Sequence, residues 1–304
     1  MKHLELHNHE FIKLLNDFEQ AIKDEQPERD MNAEHVSHVR ELLYIMERKG
    51  LNSIKELDQQ VVNDFVTYLE NRPNQRRSGL LSDTTINKFL ASIYNLLKYL
   101  HTEGVKMAVL RLRYKPRGER KLPTVLTPEE IQQLFSVTDD TAIGVRDKCM
   151  IALYFGCGLR RSEGINLLLT DIDFHKSRIL IRKTKNNRER YVLMSPNTQK
   201  MIEDYVYSAR DMYMPEDAPH EELFINERGQ PAQGQTLAKR MEALWGRVKD
   251  RYGSEKHVTL HSLRHSLGTE LYKSGMKLPM ISLMLGHRST EATELYVTLT
   301  NLNQ

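Results

Sequence analysis

Two cysteines and one tryptophan are all that 304 residues hold of either type. Cys149 and Cys157 sit eight positions apart in one apolar segment, about two helical turns and too far to pair. They read as small buried side chains of a chain kept in a reducing, cytoplasmic compartment. No apolar run approaches the ~20 residues needed to span a bilayer. The opening "MKHLELHNHEFIKLL" is too polar for a secretory signal. The sequence also lacks a P-loop, a carboxylate cluster, an internal repeat and any low-complexity tract. These absences exclude a disulfide scaffold, a membrane span, a solenoid and a phosphate-loop NTPase.

What is present is unevenly distributed charge. The net charge is only +3. Residues 1–30 carry four basic and eight acidic side chains, whereas "RLRYKPRGERK" at 111–121 carries six basic and one acidic. "KSRILIRKTKNNRER" at 176–190 carries seven basic and one acidic. One such run reads as a solvated face. Two concentrated runs point toward a polyanion such as a phosphate backbone.

Periodicity divides the chain. "FIKLLNDFEQAI", "HVSHVRELLYIMERKG", a helix "SIKELDQQVVNDFVTYLENR" starting near Ser53, and "SDTTINKFLASIYNLLKYLHTEG" repeat apolar residues at three- and four-residue steps. Ser82 or Asp83 caps the last, and Gly104 stops it. Residues 111–126 hold the first basic run, Pro116 and Pro123, without helical period: a linker. "TPEE" opens the next domain with a capping box, Thr127 facing Glu130. "RDKCMIALYFGCG" reads as a buried helix ended by glycine, and "RSEGINLL" as a short helix. "DIDFHKSRILIRKTKNNRERYVLM" alternates around a turn at "NN", the pattern of a small antiparallel sheet, before helices return from Pro196. The fold expected is mainly α with a small antiparallel β-sheet: a helical domain over 1–110, a basic linker over 111–126 and a second domain over 127–304.

The chemistry-bearing residues begin with "LHSLRHSLGTE" at 260–270. His261 and His265, four apart on a helix, share a face and match half of a zinc site. Arg264 between them is a permanent cation that repels metal. The pair therefore reads as packed histidines or as an anion site built with the guanidinium. His3, His7 and His9 are a second candidate metal group, or a frayed polar terminus, the reading we favour. Elsewhere, "GLRRSE" places Arg160 after a glycine break at a helix start, where backbone N–H groups also favour an anion. "KTKNNRER" places Lys185 at a hairpin tip, "LGHRS" places His287 in a loop, and "TELYV" places Tyr296 about two turns into the next helix. Each alone has an ordinary explanation. Together they supply a nucleophile, charge stabilisers, a proton donor and proton carriers for phosphodiester transfer.

The ordered set G-L-R-x-S-E, K-x-x-x-x-R, H-x-L-R-H, L-G-H and a tyrosine nine residues on resembles the tyrosine recombinase (phage integrase) family, in its Xer-like two-domain form. "LHSLRHSLGTELYKSGMKLPMISLMLGHRSTEATELYV" resembles the family's signature block without a gap, and "SDTTINKFLASIYNLLKYL" is similar to the last helix of its N-terminal core-binding (SAM-like) domain. The resemblance implies that Tyr296 attacks the scissile phosphate to form a 3′-phosphotyrosyl bond. It implies that Arg160 and Arg264 clamp the phosphate, Lys185 rather than Lys183 protonates the leaving 5′ oxygen, and His261 transfers protons. His287 would hydrogen-bond a phosphate oxygen, Glu163 would support the site, and His265 would pack behind it. It implies no metal and no ATP.

The same resemblance implies a site-specific recombinase that acts through a Holliday junction as a homotetramer on two duplexes. Its DNA would carry an inverted-repeat core site, and accessory DNA-bending or directionality proteins could assist. Localisation would be cytoplasmic, at the nucleoid. Arg113, Lys115 and Arg117 are expected phosphate contacts of the linker, and Lys88 is a weak candidate DNA contact, a solvated helix face being the reading we favour for it. Eight residues follow Tyr296, fewer than in the docking tail of many relatives, which implies either no cyclic tail exchange or subunit contacts through other surfaces. Two other readings share these residues: a type IB-like topoisomerase, and a non-catalytic DNA-binding relative.

Overall fold

The computed structural model describes residues 4–25, 31–74, 78–116, 122–182, 189–214, 219–287 and 291–301. The chain divides into two compact units, Met1–Arg120 and Lys121–Gln304. The architecture is mainly helical with one small antiparallel sheet.

In the first unit, α1 (His9–Glu25), α2 (Met31–Arg48), α3 (Gln59–Asn71) and α4 (Asp83–Thr102) enclose an apolar core. Phe11, Phe18, Leu42, Leu43, Phe65 and Phe89 are its largest fully buried members. The third periodic segment is not one helix from Ser53. Ser53 caps a single 3-10 turn, Ile54–Glu56, and Asp58 then caps α3 by accepting from Val61 N–H. Asp58 competes for the backbone as an N-cap, so the apolar period continues while the helix restarts. Ser82, rather than Asp83, caps α4. At the α2–α4 contact one buried hydroxyl serves two histidines: Ser92 Oγ lies 2.8 Å from His35 Nδ1 and 2.9 Å from His38 Nδ1.

The extended stretch after α4 is pinned to this bundle. Gln59 Oε1 accepts from Arg111 N–H at 2.7 Å, and Asn87 Oδ1 accepts from Lys115 N–H at 2.7 Å.

The second unit opens with α5 (Pro128–Ser136), capped by the Thr127–Glu130 box that the sequence signals. Next comes α6 (Ala142–Ile151), which widens into a π-helical turn over Ala152–Gly156. The turn delivers Gly158 and Arg160 to the short α7 (Arg161–Ile165). Strands β1 (Ile172–Asp173), β2 (Arg178–Ile181) and β3 (Arg190–Leu193) form an antiparallel sheet in the order β1-β2-β3. The "NN" turn and Lys185 lie outside the described residues. After the sheet come α8 (Pro196–Asp204), continued by a second π-helical turn, and α9 (Gly234–Tyr252). The last three helices are α10 (Leu260–Lys273), α11 (Leu278–Leu285) and α12 (Glu291–Asn301).

The core of this unit gathers Cys149, Leu153, Tyr154, Ile179, Phe224 and Leu263, all fully buried. Both cysteines are free and buried. A bidentate pair, Arg240 on Asp147 at 2.6–2.9 Å, ties α9 to α6. Among the described residues, no helix is long and apolar enough to cross a membrane.

Candidate active site

The π-helical turn sets up the site. It ends at Gly156, two residues before Gly158, whose carbonyl accepts from Arg264 Nη1 at 2.5 Å. π-Turns are uncommon and concentrate at functional positions. Arg264, from the first half of α10, is 2% exposed, and its Nη2 donates to Leu285 O at 2.6 Å. A buried guanidinium of this kind needs its donors met, and the carbonyls at the ends of two different segments meet them. Burial, then the nearby Arg160, lowers its pKa to about 10, so it stays charged at neutral pH.

Arg160 precedes α7 and reaches in two directions. Its Nη1 donates to Glu163 Oε1 at 2.7 Å and its Nη2 to the carbonyl of Gly286. The helix start expected to offer free N–H groups to an anion does not do so at Arg160: α7 has five residues, and the Arg160 N–H donates to Glu163 Oε2 at 2.8 Å. Burial pushes the Glu163 carboxyl up. Hydrogen bonds and charge from Arg190, then Arg160, outweigh that and hold it at about 2.

Three histidines lie within reach of these charges. His261 and His265 meet edge to face with centroids 4.6 Å apart. His265 lies 6.2 Å and His287 5.9 Å, centroid to centroid, from the Tyr296 ring. His287 Nδ1 is 2.9 Å from Thr293 Oγ1. Burial lowers all three imidazoles, with neighbouring cationic groups adding to it: His287 to about 4, His265 to about 3, and His261 also downward. All three are therefore neutral at pH 7. Among the described residues, no group of three or more His, Cys, Asp or Glu side chains is placed to hold a metal ion.

Tyr296 lies in the second turn of α12 and is fully buried. Among the described residues its hydroxyl has no hydrogen-bond partner. Burial pushes its pKa up to about 12, against the charges of Arg264 and Arg160. The ring rests on the backbone of α10 at Gly268, where a Cβ would fall 2.7 Å from Cε2 and closer still to Cζ. Only glycine leaves room for this seat.

The structure thus brings Arg160, Glu163, His261, Arg264, His265, His287 and Tyr296 together. Lys185 and Arg117 lie outside the described residues. In the first unit Lys88 pairs with Glu34 at 2.9 Å and Lys115 pairs with Glu70, while Arg113 is exposed.

Two features were not assigned from the sequence. Arg190 binds Glu163 from β3. A cavity of about 720 Å³ opens beside His261, lined by Arg161, Lys239, Lys249, Lys256 and His257 among others. The spacing of Gln235, Lys239, Glu242, Gly246 and Lys249 on one face of α9 was the available signal.

Known proteins place this chain in a family. Residues 124–302 match the model of the phage integrase family. The tyrosine recombinase XerC of Anoxybacillus flavithermus (strain DSM 21510 / WK1) is 30% identical over 263 residues, which cover 86% of this chain and 84% of that one. XerC of Bacillus subtilis (strain 168) is 26% identical over 289 residues, covering 94% and 90%. The fold is shared with the XerH site-specific recombinase bound to palindromic difH substrate, at TM-score 0.68 and 20% identity, covering 96% of this chain and 87% of that one. The chain belongs to the phage integrase family, the tyrosine recombinases.

Proposed function

We propose that this chain is a site-specific DNA recombinase that cuts and rejoins double-stranded DNA through a 3′-phosphotyrosyl intermediate. The observation that carries the reading is the convergence of Arg160, Arg264, His265 and His287 on Tyr296 within one unit, with His261 edge to face on His265. The DNA-facing path we assign to the second unit is the cation-lined cavity on α9. Its lysines and arginine suit a phosphate backbone, and their contacts position the duplex without specifying sequence. The first unit serves as the helical core-binding domain. The working assembly is a homotetramer on two duplexes that passes through a Holliday junction. Accessory proteins act on its inverted-repeat core site, at the cytoplasmic nucleoid.

In this reading the scissile phosphate docks on Arg160 and Arg264, whose charge offsets that developing on the non-bridging oxygens. His287 contributes its remaining ring nitrogen to a phosphate oxygen. Neutral His261 takes the proton from the Tyr296 hydroxyl as that oxygen bonds to phosphorus. The phosphorus–O5′ bond breaks and Lys185 protonates the departing 5′ oxygen. Attack by a 5′-hydroxyl of the partner strand reverses the step, so the energy of the broken link is kept in the phosphotyrosine.

The test is a nicked duplex carrying the core site, run on a denaturing gel for a covalent adduct. Wild type forms it and Tyr296→Phe does not; an adduct that survives in Tyr296→Phe removes the nucleophile assignment. Lys185→Ala loses the adduct on an ordinary site and regains it on a 5′-phosphorothiolate, whose sulfur leaves without a proton. Rescue confined to Lys183→Ala would move that role. Supercoil relaxation on a plasmid without the site is expected to be absent, and its presence would favour the topoisomerase reading.

A further inference from the structure

β3 presents an arginine where the sheet has its buried face. Alternation puts Arg190 on the same side as Val192, and Arg190 pairs across the ladder with the buried Ile181. An inward-facing charge on a strand is costly unless it is met. Here it is met by one carboxylate: Arg190 Nη1 donates to Glu163 Oε1 and Nη2 to Oε2, each at 2.8 Å.

The same two oxygens serve Arg160. Oε1 accepts its Nη1 and Oε2 accepts its backbone N–H. Arg264 Nη1 lies 4.0 Å from Oε2. One carboxylate, 2% exposed at its side chain, therefore sits among three guanidinium groups. Gly286 makes the arrangement possible. It adopts φ 65°, and a Cβ there would fall 3.0 Å from Arg190 Cζ and Nη1, while its carbonyl accepts from Arg160. The glycine of "LGH" thus seats Arg190 on one side and anchors Arg160 on the other.

We propose that Arg190 is a positioning residue of the phosphate site: its fork fixes the plane of the Glu163 carboxylate and, through it, the direction in which Arg160 faces the phosphate. A single guanidinium–carboxylate contact leaves a carboxylate free to rotate, whereas the two-pronged one does not. Arg190 itself stays back from the reacting atoms. Its Nε is buried without a partner among the described residues. Its charge also reaches Arg264 and His287. The proposal rests on Arg160 and Arg264 being the phosphate clamp.

The test uses the full chain on a nicked duplex whose site has been selected from a random-sequence pool by binding. The scissile phosphate is supplied in two forms, as the ordinary diester and as a methylphosphonate, in which a methyl group replaces one charged non-bridging oxygen. Wild type must form the Tyr296 adduct on the diester; if it does not, the clamp reading itself fails. Given that adduct, Arg190→Gln and Arg190→Lys are expected to slow its formation on the diester about 10²-fold, the loss typical of one preorganised charge stabiliser. The DNA concentration for half-saturation should change by less than about threefold, because positioning acts on the transition state more than on binding. On the methylphosphonate, which has less charge to stabilise, the deficit should shrink to below about tenfold. Thermal melts accompany both variants, and if Arg190→Gln does not fold, Arg190→Lys carries the same comparison. Equal losses on both substrates, a loss confined to half-saturation, no loss, or a wild-type rate for Arg190→Lys overturns the proposal.

Discussion

Arg264 and Tyr296 are both buried side chains of the same unit, and their polar atoms are treated in opposite ways. The Arg264 fork donates to the carbonyls of Gly158 and Leu285, and Arg160 is held by Glu163 and Gly286. The Tyr296 hydroxyl, in contrast, is sealed from solvent with no partner among the described residues, as are Thr300 Oγ1 one turn on and His265 Nδ1 on the facing helix. Leaving a buried hydroxyl unmet costs about 1–3 kcal/mol. The difference teaches how the site is divided. Its proposed charge stabilisers, Arg160 and Arg264, are held in place by the chain's own acceptors, which makes such groups effective. Its proposed nucleophile, Tyr296, is held by ring packing over Gly268 rather than by its hydroxyl, and in the proposed reading it would leave that seat to reach a phosphate.

The largest effect expected from breaking this contrast is at the clamp. Arg264→Lys keeps a positive charge but loses the fork that spans Gly158 and Leu285. Adduct formation on a nicked site should fall about 10²–10³-fold, measured under single-turnover conditions. A drop below tenfold would mean that the fork geometry is not what the site uses.

A smaller change acts on the nucleophile's side. Gly268→Ala places a methyl group where the Tyr296 ring lies, an overlap that costs typically 1–3 kcal/mol. The stored pose should lose population, so hydrogen exchange over residues 291–301 should speed by about fivefold or more. Adduct formation should not slow. A slower adduct with unchanged exchange would show that the seat over Gly268 is itself the attacking pose.

The smallest expected effect separates the two by pH. His265 and His287 titrate at about 3 and 4 in the fold, below the ordinary value of 6.5. Their neutral forms contribute stability that is complete above about 6.5 and is lost as pH falls through those lower values. Glu163, held at about 2, contributes stability that is complete above its ordinary value of 4.5 and is lost only as pH falls toward 2. Between pH 6.5 and 5 the loss therefore belongs to buried histidines and not to the clamp carboxylate. His38 of the first unit, lowered to about 4 chiefly by burial, adds to it. Melting temperature should fall across that window, by about 2–4 °C for each kcal/mol lost in a chain of this size. His265→Asn should flatten the slope, and an unchanged slope would remove His265 from the account.

Much of this was legible in the sequence because local rules carried it. The Thr127–Glu130 box, the Ser82 cap and the alternating segment that forms β1–β3 each depend on neighbours a few residues apart. The candidate site residues could be picked out for a different reason: their chemistry is incomplete singly and complete as a set. Four features were not legible, because no composition, period or motif marks them. The π-helical turn after Ile151 looks like continued helix in the sequence, since the apolar run does not change there. The restart of α3 at Asp58 is a contest between a cap and a helical period. The bond from Arg190 to Glu163 joins residues 27 positions apart. The burial of Tyr296 follows from the absence of a side chain at Gly268, which no period or motif of α12 reveals.

The proposed division between a finished clamp and a stored nucleophile can be measured directly by hydrogen exchange of the full chain, free and bound to a nicked core site, with adduct formation followed in the same sample. The account predicts that the 291–301 segment loses protection on binding, before or as the adduct appears, while 158–163 and 260–266 keep theirs. Unchanged protection over 291–301 in a sample that accumulates the Tyr296 adduct would contradict it.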